Sequence, residues 1–131
     1  MTSVSKVKSL DHLVLTVKDL DATIQFYQDI CGMEHTSFVT EPGITRHALK
    51  FGTQKINLHE TGKEFEPKAE RVQPGSGDLC FLVEEDVEGV LGRLKERGMT
   101  VLEGAKVVER TGAQGKLRSV YLRDPDGNLI E

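Results

Sequence analysis

Scarcity narrows the reading of this chain first. Two cysteines in 131 residues, Cys31 before a glycine and Cys80 in an apolar stretch, are too few for a disulfide framework and lack metal-ligand spacing. They read as reduced, buried thiols of a cytosolic protein. Basic excess is missing too: 17 Lys and Arg stand against 21 Asp and Glu, the signs are interspersed, and the net charge is −4. No basic stripe serves nucleic acid or an anionic membrane surface. No run approaches the roughly 20 apolar residues of a membrane span, and MTSVSKVKSL at the N-terminus holds no long apolar core. Ser-His-Asp order, P-loop and dinucleotide fingerprint are also lacking. The expectation is a soluble, cytoplasmic chain of one domain, residues 1–131, that engages neither nucleic acid nor membrane.

What the chain does have is an internal repeat. LDHLVLTVKDLDATIQFYQDICGM, residues 10–33, returns as GDLCFLVEEDVEGVLGRLKERGM, ending at Met99. His12 and Asp78, Val17 and Val83, Gly32 and Gly98, and Met33 and Met99 are all 66 residues apart. In the first copy, LDHLVLTV alternates, with His12, Val14 and Thr16 on one face and Leu13, Leu15 and Val17 on the other, which predicts a strand. Asp19 or Asp21 is a helix N-cap, Ile24, Tyr27 and Ile30 recur at helical spacing, and Gly32 supplies the left-handed stop. In the second copy LCFLV predicts a strand, Asp86 a cap, Val87, Val90, Leu91 and Leu94 an apolar stripe, and Gly98 the stop.

Between the copies, EHTSFVTEPGITRHALKFGTQKINLHE predicts two or three strands broken at Pro42-Gly43 and Gly52-Thr53. In KINLHE, Ile56 and Leu58 face one way, Asn57 and His59 the other. TGKEFEPKAERVQPGSG, charged and aperiodic, predicts the connection between halves. Beyond Gly98, strands are predicted near residues 99–103, 117–123 and 128–131, separated by the loop of residues 111–115 and the Asp124-Pro-Asp-Gly127 turn. Two such units would set their sheets around a shared concave surface suited to a ligand. His35 and His47 gain nothing from this pattern, and His47 reads as a rim residue.

The paired units, with the opening LDHLVLTVKDLDATIQFYQDICGM and the closing YLRDPDGNLIE, resemble the glyoxalase/bleomycin-resistance/dioxygenase superfamily, or vicinal oxygen chelate fold. HALKFGTQKINLHETGKEFEPKA and PGSGDLCFLVEE are most similar to its glyoxalase domain-containing protein 5, or virulence-protein-like, subgroup. The resemblance implies an α+β fold of two tandem βαβββ modules, about residues 10–60 and 77–131 joined by about 61–76, whose curved mixed sheets form a cup. It also implies a divalent metal held by one ligand from the first and one from the last strand of each half.

On that resemblance the first-strand positions are His12 and Asp78. The last-strand positions are Glu131 and a residue of INLHE. Aligning Ile56 on Ile130 sets Asn57 opposite Glu131, but an imidazole binds a borderline ion better than an amide, so His59 is the expected ligand. The implied set is His12, His59 and Glu131 for zinc, nickel, manganese or iron, with Glu131 or Asp78 moving a proton. Asn57, Arg118 and Tyr121 are expected to contact substrate. The implied function is a metal-dependent lyase, isomerase or transferase acting on a small oxygen-chelating substrate, as a homodimer. The alternatives are a metal-free, ligand-sequestering protein of bleomycin-resistance type and, last, an extradiol dioxygenase.

Overall fold

The alternation around His12 becomes β1 (His12–Val17), which sends Leu15 and Val17 into the core. Its parallel partner is β4 (Gln54–Glu60), and the sheet runs β1-β4-β3-β2 with β2 (Glu34–Glu41) and β3 (Ile44–Phe51) antiparallel. A computed structural model describes residues 2–131. Between β1 and β2 lies α1 (Leu20–Asp29), whose N-cap is Asp19: its carboxylate accepts from the Ala22 backbone N–H, while Asp21 sits in the first turn. Thr23, Ile24, Phe26 and Tyr27 are all buried, more than one face of a surface helix would hide, because α1 is covered by both halves of the chain.

The second half repeats the order. β5 (Asp78–Leu79) pairs in parallel with β9 (Leu129–Ile130), and β8 (Leu122–Arg123) lies antiparallel to β9. β6 (Val108–Gly112) and β7 (Gly115–Ser119) form a hairpin leading into β8. The sheets are mixed and curved and do not close into barrels. α2 (Val87–Glu96) is capped by Asp86 and buries Leu91 and Leu94. Gly32 and Gly98, at φ +65° and +70°, end the two helices in the left-handed region that glycine tolerates best.

Two strand expectations are corrected. The run Cys80–Val83 is apolar but is not a strand: Phe81 N–H to the Glu131 carbonyl is its last ladder bond, and beyond it no partner backbone runs alongside, leaving Leu82 and Val83 exposed. Residues 99–103 are not a strand either. Val101 is buried, but Leu102–Ala105 forms a helical turn broken by positive φ at Glu103, Gly104 and Ala105, and the strand starts only at Val108.

The turn before the final strand does more than reverse the chain. Buried Asp124 accepts hydrogen bonds from Tyr27 Oη and Asn128 Nδ2, both at 2.7 Å, and from the backbone N–H groups of Asp126 and Asn128, both at 2.9 Å. Asn128 Oδ1 in turn accepts from the Gly77 N–H at 2.7 Å, and Asp126 accepts from the Lys18 N–H at 3.0 Å. One turn therefore ties α1, the end of β1 and the entry to β5 together, and one apolar cluster runs through both halves. At Gly75 a Cβ would lie 2.5 Å from the Asp126 carbonyl oxygen, so the connection can approach the turn this closely only as glycine.

Candidate functional site

Register decides which side chains share a face. Opposite residues in a ladder point the same way, so one face of the first sheet carries three rows across four strands. Glu34, Lys50, Lys55 and His12 form the first; Thr36, Ala48, Asn57 and Val14 the second; Phe38, Arg46, His59 and Thr16 the third. The opposite face carries Leu13, Leu15, Leu49, Ile56 and Leu58 and belongs to the core. Val14 and Phe38 remain 45% and 48% exposed while Ala48 and Thr16 in the same rows are buried, so the row-bearing face is open in part.

His12 lies at one end of that open face with its Nδ1 2.8 Å from Asp11 Oδ2. This contact orients the ring and leaves Nε2 as the nitrogen free for an ion or substrate. Asn57 is two residues along the register from the His12 partner Lys55, but His59 is four. That is about 13 Å at strand rise, too far for both imidazoles to share one ion. Of these two β4 side chains Asn57 is thus the nearer to His12 along the register, and His59 lies further off on the same face. His59 packs its edge on Phe65, with ring centroids 5.3 Å apart, and burial, then the Arg46 charge, hold its pKa below the ordinary value.

In the second half, Glu131 follows β9 and bonds through its backbone to Leu79 and Phe81. Its Oε2 accepts from Ser119 Oγ at 2.6 Å. Burial first, then the Glu131 carboxylate, raise the pKa of both the Cys80 thiol and the Tyr121 phenol above the ordinary values. Tyr121 thus belongs with Glu131, as does Cys80, which is exposed where its apolar sequence context predicts a buried structural thiol. Asp78 is exposed at the start of β5. Arg118 reaches α2, its Nη2 2.9 Å from Glu88 and its Nη1 3.7 Å from Asp86, and lines the same cavity as Glu131. His35 and His47 are not idle rim residues, since Nε2 and Nδ1 meet at 2.9 Å on the side of the sheet opposite His12.

By donor type, His12, Asp78 and Glu131 suit a borderline divalent ion. Within one chain they do not converge, since no group of three His, Cys, Asp or Glu among the described residues stands close enough to hold a metal. Sequence reasoning misses Arg46 and Phe65. Arg46 lies across from His59, with its guanidinium carbon 4.1 Å from the Phe65 ring centroid. Extending the period of two from KINLHE back across the hairpin to RHALK would have put Arg46 on the His59 face. Nothing local signals Phe65, which arrives from the connection.

A cavity of about 630 Å³ opens beside Glu131, between α2, the end of α1 and the second sheet, where Cys80, Arg118, Ser119 and Glu131 line it together with apolar Phe51 and Phe81. No helix among the described residues is long and apolar enough to cross a membrane.

A doubled strand-helix-strand unit, its two halves joined through one core, defines an α+β class of protein. Residues 9–131 match the model of the Glyoxalase/Bleomycin resistance protein/Dioxygenase superfamily, and the chain belongs to that family. It is 54% identical over 125 residues to glyoxalase domain-containing protein RDO1 of Mycosarcoma maydis, covering 95% of this chain and 67% of that protein. It is 49% identical over 125 residues to virulence protein STM3117 of Salmonella typhimurium, covering 95% and 83%, and the crystal structure of that protein superposes with a TM-score of 0.89 over 96% of this chain and 95% of its own. Metallothiol transferase FosB of Staphylococcus epidermidis is 30% identical over 127 residues, covering 96% and 81%.

Proposed function

We propose that the protein is a metal-dependent lyase, isomerase or transferase of glyoxalase type, acting as a homodimer on a substrate with adjacent oxygens. The observation that carries this reading is the matched pair of half-sites. His12 with Asn57 and Asp78 with Glu131 stand at corresponding strands of the two halves, and neither half holds three ligands. A second copy would bring the half-sites together. The name of the FosB relative, a metallothiol transferase, supports metal chemistry in the family.

Zinc, nickel, manganese or iron would supply Lewis acidity toward a substrate carbonyl or oxyanion, an effect of several kcal/mol on such barriers. His12 would offer Nε2, and Glu131 one carboxylate oxygen while Ser119 Oγ–H steadies the other. Asp78, exposed at the start of β5, is the carboxylate available to move a proton.

Metal analysis of protein purified without added ions should find about one divalent ion per chain, and His12→Ala and Glu131→Ala should each lose it while remaining folded. Metal retained by His12→Ala would overturn the assignment. Metal-free wild type that still binds small molecules would favour the ligand-sequestering alternative, and stoichiometric iron would revive the dioxygenase.

A further inference from the structure

The open face of the first sheet has a charge unlike that of the chain as a whole. In a protein of net charge −4, its three rows carry the cations Arg46, Lys50 and Lys55 against a single carboxylate, Glu34. None of the three cations forms a salt bridge among the described residues: the carboxylates that do pair do so with other residues. Arg46 is the most constrained. Its guanidinium lies over Phe65, the imidazole of His59 meets the same ring edge-on, and Arg46 Nε and His59 Nδ1 are both buried without a hydrogen-bond partner. Buried polar atoms are normally paired, so two orphans on cross-strand neighbours point to a missing polar group. A guanidinium anchored over an aromatic ring can still present its outer N–H groups to a two-oxygen anion.

We propose that Arg46 and His59, backed by Phe65, form an anion-recognition subsite that takes a carboxylate, phosphonate or phosphate group of the substrate. Asn57 lies between this subsite and His12, and the rows containing Arg46 and His12 are four residues apart, about 13 Å. Resting on the cup described above, the substrate is then an extended acid with its chelating oxygens at the His12 end and its anionic group at the Arg46 end. The charged groups that approach His59 from the connection are Glu64 and, further out, Lys68, which is paired to Glu66.

Inorganic phosphate tests the subsite without metal or substrate. Followed by NMR of the His59 ring at constant pH, assigned through His59→Gln, phosphate should shift the resonance along a saturating curve. Arg46→Gln should weaken phosphate binding about ten- to a hundredfold, and Arg46→Lys should recover part of it. Thermal melts by circular dichroism identify an unfolded variant, and Phe65→Ala, which leaves the charge in place, should weaken binding as an independent check.

A His59 resonance unmoved by phosphate, or moved equally in wild type and Arg46→Gln, would overturn the subsite. The reach toward His12 is tested by calorimetry with a long dicarboxylate, sebacate, against a short one, succinate. Preference for sebacate that disappears in Arg46→Gln supports an extended substrate, and equal affinities overturn that part. Repeating the phosphate titration on His12→Ala separates the two readings: an intact response with no bound metal leaves the subsite standing even where the metalloenzyme assignment fails.

Discussion

Asp124 shows how much one side chain can hold. Its carboxylate collects four hydrogen bonds, and the one from Tyr27 crosses between the halves of the chain. Burial, then Asp124, drive the Tyr27 pKa well above the ordinary phenol value, so the phenol remains a donor across the working pH range. Tyr27→Phe keeps the ring contact with Phe26 but strands one carboxylate lone pair, and should cost about 1.5–3 kcal/mol in urea melts. His47 sets a pH dependence. Burial first, then His35, lower its pKa from 6.5, while Glu60 and Asp21 pull the other way. Between the folded pKa and about 6.5 the unfolded chain binds more protons, so stability falls as pH drops through that window. Urea midpoints should therefore decline from about pH 7.5 to about 5.5, and His47→Gln should flatten the decline; an unchanged slope would contradict this origin.

Element ends were legible because their chemistry is local. Asp19 and Asp86 cap as their side chains require, and Gly32 and Gly98 stop the helices at positive φ, where an added Cβ would meet no atom within 4 Å. The cost of alanine at either glycine is therefore backbone strain alone. Gly32→Ala and Gly98→Ala should each lose about 1 kcal/mol in denaturant melts, and a variant as stable as wild type would refute the equivalence of the two stops. Strand limits were less legible. Cys80–Val83 has the composition of a strand, but a strand also needs a neighbour, and β9 accompanies it only to Glu131. Residues 99–103 failed differently, because burial of Val101 accounts for the apolar signal without any ladder.

At the scale of the molecule, the open sheet face exposes Val14 and Phe38 beside polar half-sites that do not meet within one chain. Burying these apolar groups against a second copy would remove water from them and bring ligating residues together. Sedimentation at micromolar concentration should give a dimer. Val14→Asp should shift it toward monomer and reduce bound metal while leaving the circular dichroism spectrum unchanged. A wild-type monomer that binds metal stoichiometrically would exclude the shared site.

The repeat, the periods of strand and helix, the caps and the glycine stops could all be read along the chain, because each depends on residues within a few positions of one another. The same patterning marked His12, Asn57 and Glu131 as polar residues at strand positions. Which of these could meet was left to packing in three dimensions. Ladder register separated His12 from His59, brought Arg46 beside His59 and carried Phe65 onto both. Packing of α2 drew Arg118 to Asp86 and Glu88, and the Asp124 turn joined the halves through Tyr27. These are contacts between residues far apart in the chain, set by the joint packing of elements that no local pattern encodes.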